Sequence, residues 1–183
     1  MAKIALAGEG GQGVQIIAQI MVKAAFNEKK NACYLPNFGL EQRGGVSLSF
    51  VQISDNEIGA PKFKISDTVI ALSKRAVKRT EQYVGPDTIY IYDNSKVDEK
   101  PDYNAKKIVG IPATDVANKE LSSRVFNIII LGTAIKITGI LNLDSVKNAL
   151  EESLKEKFLK KPELKDLNFR ALERGMSLVE NVL

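Results

Sequence analysis

The sequence predicts an α/β chain, with a three-layer α/β/α arrangement around a mixed, mostly parallel sheet. Three observations carry this. Short apolar runs alternate with stretches of helical period in the first part of the chain, and the tail is helical throughout. A glycine-rich turn, Gly8-Glu9-Gly10-Gly11-Gln12-Gly13, joins the first apolar run to the first helical stretch. The run at 46–53 follows its predecessor through a loop with no crossover helix between them, so the sheet is expected to be mixed rather than wholly parallel.

Taken in order, Ile4 to Ala7 is short and wholly apolar and reads as a strand. Positions 14, 17, 18, 21, 22 and 25 are apolar at helical spacing, which predicts a helix from Val14 to Phe26. Ala32 to Leu35 reads as a second short strand. Residues 36–45, with one proline, two asparagine or glutamine residues and three glycines, read as a structured loop. Val46 to Phe50 alternates as a strand and continues to Ile53, with room for a bulge where the alternation breaks. Residues 54–57 turn, and 58–63 form an irregular return. Thr68 to Leu72 is a buried strand, and Ser73 is placed to cap a helix from Lys74 to Tyr83. Thr88 to Tyr92 is a further strand, 96–106 a polar surface excursion, and Lys107 to Ile111 a last strand. Thr114 is the expected cap of a short helix ending at Leu121. Arg124 to Ile137 reads as a buried helix, although Ile128-Ile129-Ile130-Leu131 also suits a strand. Asp144 is the expected cap of a helix over 145–158, and Pro162 separates it from a final helix, 163–183. That helix carries Phe169, Leu172, Met176 and Val179 on one stripe. No repeat or linker interrupts the chain, so residues 1–183 are expected to form one domain.

The glycine turn is the strongest local signal. Its backbone can adopt φ > 0 and admit a close neighbour, and its free N–H groups with the following helix end favour an anion. Gly8, Gly10 and Gly13 match the G-x-G-x-x-G spacing of a dinucleotide fold, giving the chain a Rossmann-like start. A purely structural use, close strand–helix packing, competes with that reading. The dinucleotide reading also lacks its ribose-binding acid about 20 residues on. The region is Asn31-Ala32-Cys33-Tyr34-Leu35-Pro36-Asn37; Glu28 falls in the helix and Glu41 comes too late. A phosphate site survives this objection, and an ordinary NAD site does not. In the second loop, Arg43 beside Gly44-Gly45 offers a planar fork for phosphate or carboxylate, or pins the loop by donating to carbonyls.

Composition narrows the chemistry. The chain has 183 residues, one cysteine and no histidine. This removes intrachain disulfides, cysteine-held clusters within the chain, histidine-based catalysis and ordinary zinc sites. No apolar run reaches the length of a membrane span, and the first residues lack a signal-peptide pattern, so a cytoplasmic location is expected. The net charge is +4. The basic clusters at 74–79 and 160–161 lack interleaved aromatics, so a solvated face is favoured over nucleic-acid binding. A positive surface also suits an anionic ligand or acidic partner.

Gly8-Glu9-Gly10-Gly11-Gln12-Gly13 followed by Asn37-Phe38-Gly39-Leu40-Glu41-Gln42-Arg43-Gly44-Gly45 resembles the gamma subunit of 2-oxoacid:ferredoxin (acceptor) oxidoreductases. The likeness continues through Ile53-Ser54-Asp55-Asn56-Glu57-Ile58-Gly59, Pro61, the strand from Asp67 to Leu72, and Asn127 to Gly132. It implies a non-catalytic subunit of a complex that converts a 2-oxoacid and coenzyme A to an acyl-CoA and carbon dioxide. The wording lies nearer the 2-oxoglutarate and broad 2-oxoacid types than the pyruvate type. Thiamine diphosphate and iron–sulfur clusters would sit in alpha, beta and ferredoxin-like delta subunits, with electrons passing to ferredoxin. This chain, homodimeric when isolated, would contribute assembly contacts and part of the coenzyme A region. The expected binding residues are Gly8, Gly10, Gly11, Gln12, Gly13, Asn37, Arg43 and Asn127. Structural roles compete at several of them: Gln12 can tie its own loop, Asn37 can form a turn, and Asn127 can be a satisfied buried amide. Glu41 is read as a partner for Arg43, and Cys33 as inert packing. Two other classes stand beside this one: a free-standing nucleotide-dependent reductase, and a pure interaction module.

Overall fold

The computed structural model describes residues 1–37 and 45–180, so Arg43 and Glu41 lie outside the described residues. Six strands form one sheet in the order β2-β3-β1-β4-β5-β6. They are β1 (Ala2–Glu9), β2 (Asn31–Asn37), β3 (Val46–Ser54), β4 (Thr68–Ala71), β5 (Ile89–Asp93) and β6 (Lys107–Ile111). β3 runs antiparallel to both β1 and β2, while β1, β4, β5 and β6 pair in parallel. The mixed, mostly parallel sheet is therefore as expected. The expected bulge is absent: Ala2↔Ile53 to Glu9↔Val46 and Asn31↔Ser54 to Asn37↔Leu48 are unbroken registers. β2 extends over Pro36 and Asn37, which the sequence places in a loop. β2 is an edge strand, where a residue without an N–H is tolerated.

The helices are α1 (Val14–Asn27), α2 (Lys74–Thr80), α3 (Ala113–Glu120), α4 (Phe126–Thr138), α5 (Leu143–Ser153), α6 (Lys155–Lys160) and α7 (Glu163–Glu180). α1, α3, α4 and α5 cover one face of the sheet, sharing a core with Ile4, Leu6, Val51, Ile70, Ile91 and Val109. α2 and the segments flanking it cover the other, packing on Ala5, Ala7, Phe50, Val69, Tyr90 and Tyr92.

α4 lies between the sheet and α7, which is why Asn127 to Ile135 are all buried. A helix buried on every side needs no polar stripe. This resolves the helix–strand ambiguity of the Ile128–Leu131 run in favour of helix. On α7 the buried seam is Asn168, Ala171, Leu172, Gly175 and Val179, with Phe169 and Met176 half-buried at its side. The expected stripe is thus rotated by part of a turn.

Three further boundaries differ. The helix after Ser73 ends at Thr80 and tightens into a 3-10 turn, Glu81–Tyr83. Thr114 is not a cap. α3 starts one residue earlier, and the carboxylate of Asp93, at the tip of β5, accepts from the Thr114 N–H (3.2 Å), the Thr114 hydroxyl (2.5 Å) and the Ser95 N–H (3.0 Å). The helix expected over 145–158 breaks at Leu154 into α5 and α6, and its first residue is Leu143, so Asp144 lies inside the first turn.

Candidate functional site

β2, β1, β4, β5 and β6 all point the same way, so their carboxyl ends share one end of the sheet. Chain order reverses beside β1: the chain turns through α1 to β2 on one side, and β4 lies on the other. Such a switch point is where open α/β sheets hold ligands. The glycine turn sits there.

Each glycine of the turn has a distinct reason. Gly8 is the penultimate residue of β1, not part of the turn as the sequence suggests. A Cβ on it would lie 2.7 Å from Val14 Cγ2 and 2.8 Å from Gln12 Oε1. Gly11 and Gly13 adopt φ of +87° and +79°, which only glycine takes without strain. A Cβ on Gly13 would also collide with the Asn127 amide nitrogen. Gly10 differs from all three: it is exposed, its φ is not in the left-handed region, and a Cβ on it would meet nothing within 4 Å.

Gln12 ties the turn together. Its Oε1 accepts from the Glu9 N–H (2.6 Å), its Nε2 donates to the Leu72 carbonyl (3.3 Å), and its own N–H donates to the Glu9 carbonyl (3.1 Å). The loop-tying role therefore accounts for this side chain. The N–H groups of Gly10, Gly11 and Gly13 have no carbonyl partner among the described residues. Gly13 is the N-cap of α1 and offers no side-chain cap, and the helix has no acidic residue in its first turn. Its positive end is thus left without an acceptor from its own first turn.

Asn127, in the first turn of α4, completes the wall of the site. It is 7% exposed, its Nδ2 packs on Gly13, and its Oδ1 is buried without a hydrogen-bond partner among the described residues. The reading of Asn127 as a satisfied buried amide is therefore corrected. Buried polar atoms without partners are uncommon and call for a reason. Asn37 closes β2 at the same end of the sheet and is exposed, so it belongs to a strand end rather than a turn. Two β3 hydroxyls that sequence reasoning missed, Ser47 and Ser49, lie opposite Gly8 and Leu6 and are also buried without partners among the described residues.

The topology explains why no ribose acid is found. The neighbour of β1 on the α1 side is antiparallel β3, which separates the end of β2 from the glycine turn. The site offers backbone donors and a helix end for an acceptor-rich ligand, and one amide oxygen for a donor. Among the described residues, no group of three or more His, Cys, Asp and Glu is arranged to hold a metal. No described helix is long and apolar enough to cross a membrane.

Residues 3–178 match the family model described as pyruvate ferredoxin/flavodoxin oxidoreductase. The chain is 31% identical over 173 residues to ketoisovalerate oxidoreductase subunit VorA of Methanothermobacter thermautotrophicus, covering 94% of this chain and 35% of that one. It thus spans about a third of that relative. It is 31% identical to 2-oxoglutarate synthase subunit KorC of Methanocaldococcus jannaschii, covering 83% of each. It is 33% identical to the pyruvate/ketoisovalerate oxidoreductases common subunit gamma of Thermococcus kodakarensis, covering 84% of this chain and 86% of that one. The keto/oxoacid ferredoxin oxidoreductase gamma subunit of Geobacter sulfurreducens superposes with a TM-score of 0.84 at 25% identity, over 99% of both chains. The 2-oxoglutarate:ferredoxin oxidoreductase of Magnetococcus marinus, solved with 2-oxoglutarate, coenzyme A and succinyl-CoA, also gives 0.84 at 25% identity, over 98% of this chain and 31% of that one. By sequence over nearly its whole length, and by fold, this chain belongs to the pyruvate ferredoxin/flavodoxin oxidoreductase family.

Proposed function

We propose that this chain acts as the gamma-type subunit of a cytoplasmic 2-oxoacid:ferredoxin oxidoreductase and forms part of its coenzyme A region. The complex would carry out coenzyme A-dependent oxidative decarboxylation of a 2-oxoacid, 2-oxoglutarate or a relative of it. Alpha, beta and delta subunits would hold thiamine diphosphate and the iron–sulfur clusters, which supply the decarboxylation and electron-transfer chemistry. One cysteine and no histidine leave this chain without the ligand set of an iron–sulfur cluster. That one gamma chain is named as common to pyruvate and ketoisovalerate enzymes supports placing the choice of oxoacid elsewhere.

The observation that carries the coenzyme A reading is Gly10. Packing accounts for Gly8 and Gly13, and backbone conformation for Gly11 and Gly13; neither accounts for Gly10. A glycine the fold does not need, beside unpaired N–H groups at a sheet switch point, suits a ligand that approaches the backbone. The N–H groups suit phosphate or carbonyl oxygens, and Asn127 Oδ1 suits an amide or hydroxyl hydrogen, all of which coenzyme A carries.

Gly10→Ala tests this in the assembled complex. The expected result is an unchanged melting temperature, intact assembly and a KM for coenzyme A raised about tenfold, or ~1.4 kcal/mol. An unchanged KM would overturn the coenzyme A reading. Lost assembly with an unchanged KM would instead favour the pure interaction module.

A further inference from the structure

On β2, one residue fixes which way the backbone faces. Pro36 pairs with Ser49 of β3 but has no N–H to give it, so its backbone faces away from the sheet. Strand geometry repeats every two residues, so the N–H and C=O groups of Ala32 and Tyr34 face outward with it. β2 ends the sheet on this side, and among the described residues no hydrogen bond reaches these outward groups.

An open edge invites a further strand, and proteins commonly block it with charge. β6, the opposite edge, opens on Lys107 with exposed Lys106 before it. From Asn31 to Asn37, β2 has no charged residue. Its apolar side chains are half-covered on both faces: Ala32 and Tyr34 pack on the α1 side of the sheet, and Leu35 on the α2 side. This is the setting of an inner strand that lacks one neighbour.

We propose that β2 pairs antiparallel with β2 of a second copy of this chain, across a two-fold axis, joining two six-stranded sheets into one. The edge is self-complementary. With Tyr34 opposite Tyr34 of the second copy, each Tyr34 N–H donates to the other Tyr34 carbonyl, and each Ala32 N–H donates to the Pro36 carbonyl of the other copy. Every outward N–H is then used, and the donor that Pro36 lacks falls at the ends of the joint, where water reaches. A two-fold contact needs no second surface. The alternative self-contact, β2 on β6 of the next copy, would build an open filament and set a neutral edge against a basic one. No residue of the glycine turn takes part, so the proposal stands or falls apart from the coenzyme A reading.

Cys33, the single cysteine, reports on this joint without any substitution. In the pairing above it lies diagonally across from Cys33 of the second copy, about 7–8 Å away and within reach of a short bismaleimide. The full chain at micromolar concentration should show twice the mass of one chain by light scattering, and the bismaleimide should convert it to a covalent dimer. Tyr34→Lys sets like charges side by side at the centre of the joint, and Ala32→Pro removes an outward N–H that β3 does not use. Each should raise the dimer dissociation constant about tenfold or more. In the unaltered chain, amide exchange at Ala32 and Tyr34 should slow as concentration rises, a readout that does not depend on how the variants fold. A monomeric chain, a dimer without the Cys33 cross-link, or exchange at these two amides that ignores concentration overturns the proposal. Protection that appears only when companion subunits are added also overturns it, and would assign the edge to one of them.

Discussion

At the scale of single residues, Glu28 shows a charge used for structure rather than function. Its side chain is 8% exposed, and it joins the end of α1 to the start of α5. Oε1 accepts from the Asn142 N–H (2.6 Å) and Oε2 from Lys30 Nζ (2.8 Å), while Lys30 also donates to the Ile140 carbonyl (2.9 Å). Burial pushes the Glu28 pKa up, but the Lys30 hydrogen bond, the Asn142 N–H and the Lys30 charge together outweigh it. The net result lies below the ordinary 4.5. A carboxylate with a depressed pKa in the folded state adds stability above its unfolded pKa, and loses it as pH falls through the folded value. Glu28→Gln should therefore cost about 1–2 kcal/mol near pH 7. The difference should shrink as pH drops below 4.5 and vanish once both states are protonated. Urea unfolding of both proteins across that range checks the sign; a difference that grows on acidification would refute the account. Of the site residues, Gly11 and Gly13 are legible in the sequence, because glycine runs between strand and helix imply positive φ. The unpaired Asn127 is not legible, because its contact with Gly13 joins positions more than a hundred residues apart in the chain. Arg43, marked in the sequence by its neighbouring glycines, lies outside the described residues.

At the scale of elements, α4 and α7 cross with their backbones in close approach. A Cβ on Gly132 would collide with the Leu172 carbonyl, and one on Gly175 with the Ile129 carbonyl. Thr133 donates its hydroxyl to the Gly175 carbonyl (2.9 Å) across the same contact. Backbone cannot yield as a flexible side chain can, so Gly175→Ala should cost about 2–3 kcal/mol. Gly59→Ala, in open space, should change stability by less than about 0.5 kcal/mol. Thermal melts of both variants decide this, and equal melting temperatures would contradict the close crossing. The same joint explains which elements could be read in advance. β1 and α1 each have a single dominant environment, so their periods are clear. α4 is buried all round and loses its period, which left its run open to a strand reading. β3 misleads in the opposite way. The alternation in Val46-Ser47-Leu48-Ser49-Phe50 implies a solvated serine face, yet Ser49 is fully buried because that face carries the α1 core. The cap of α3 is supplied by Asp93 of β5, and local sequence around Thr114 holds no trace of it.

At the scale of the whole molecule, the sheet gathers the candidate-site features at one end, and the described residues bring no histidine or cysteine there. The glycine turn and the first turn of α4 bring backbone donors and one amide. None is a base, nucleophile or redox centre suited to breaking a carbon–carbon bond. The single cysteine, Cys33, lies on edge strand β2 and is half-buried. Oxidative decarboxylation of a 2-oxoacid needs an electron sink for the carbanion left by carbon dioxide, then a carrier for two electrons. With one thiol and no histidine, the chain cannot hold an iron–sulfur cluster by itself. The purified chain should therefore reduce no dye acceptor with pyruvate, 2-oxoglutarate or ketoisovalerate, even with coenzyme A, thiamine diphosphate and magnesium added. The same chain captured from its native cell with its companion subunits should restore turnover, and mass identification of those companions should find the thiamine- and cluster-bearing chains. Full activity of the isolated polypeptide would mean that it contains a reaction centre of its own, and the division of labour proposed here would fall.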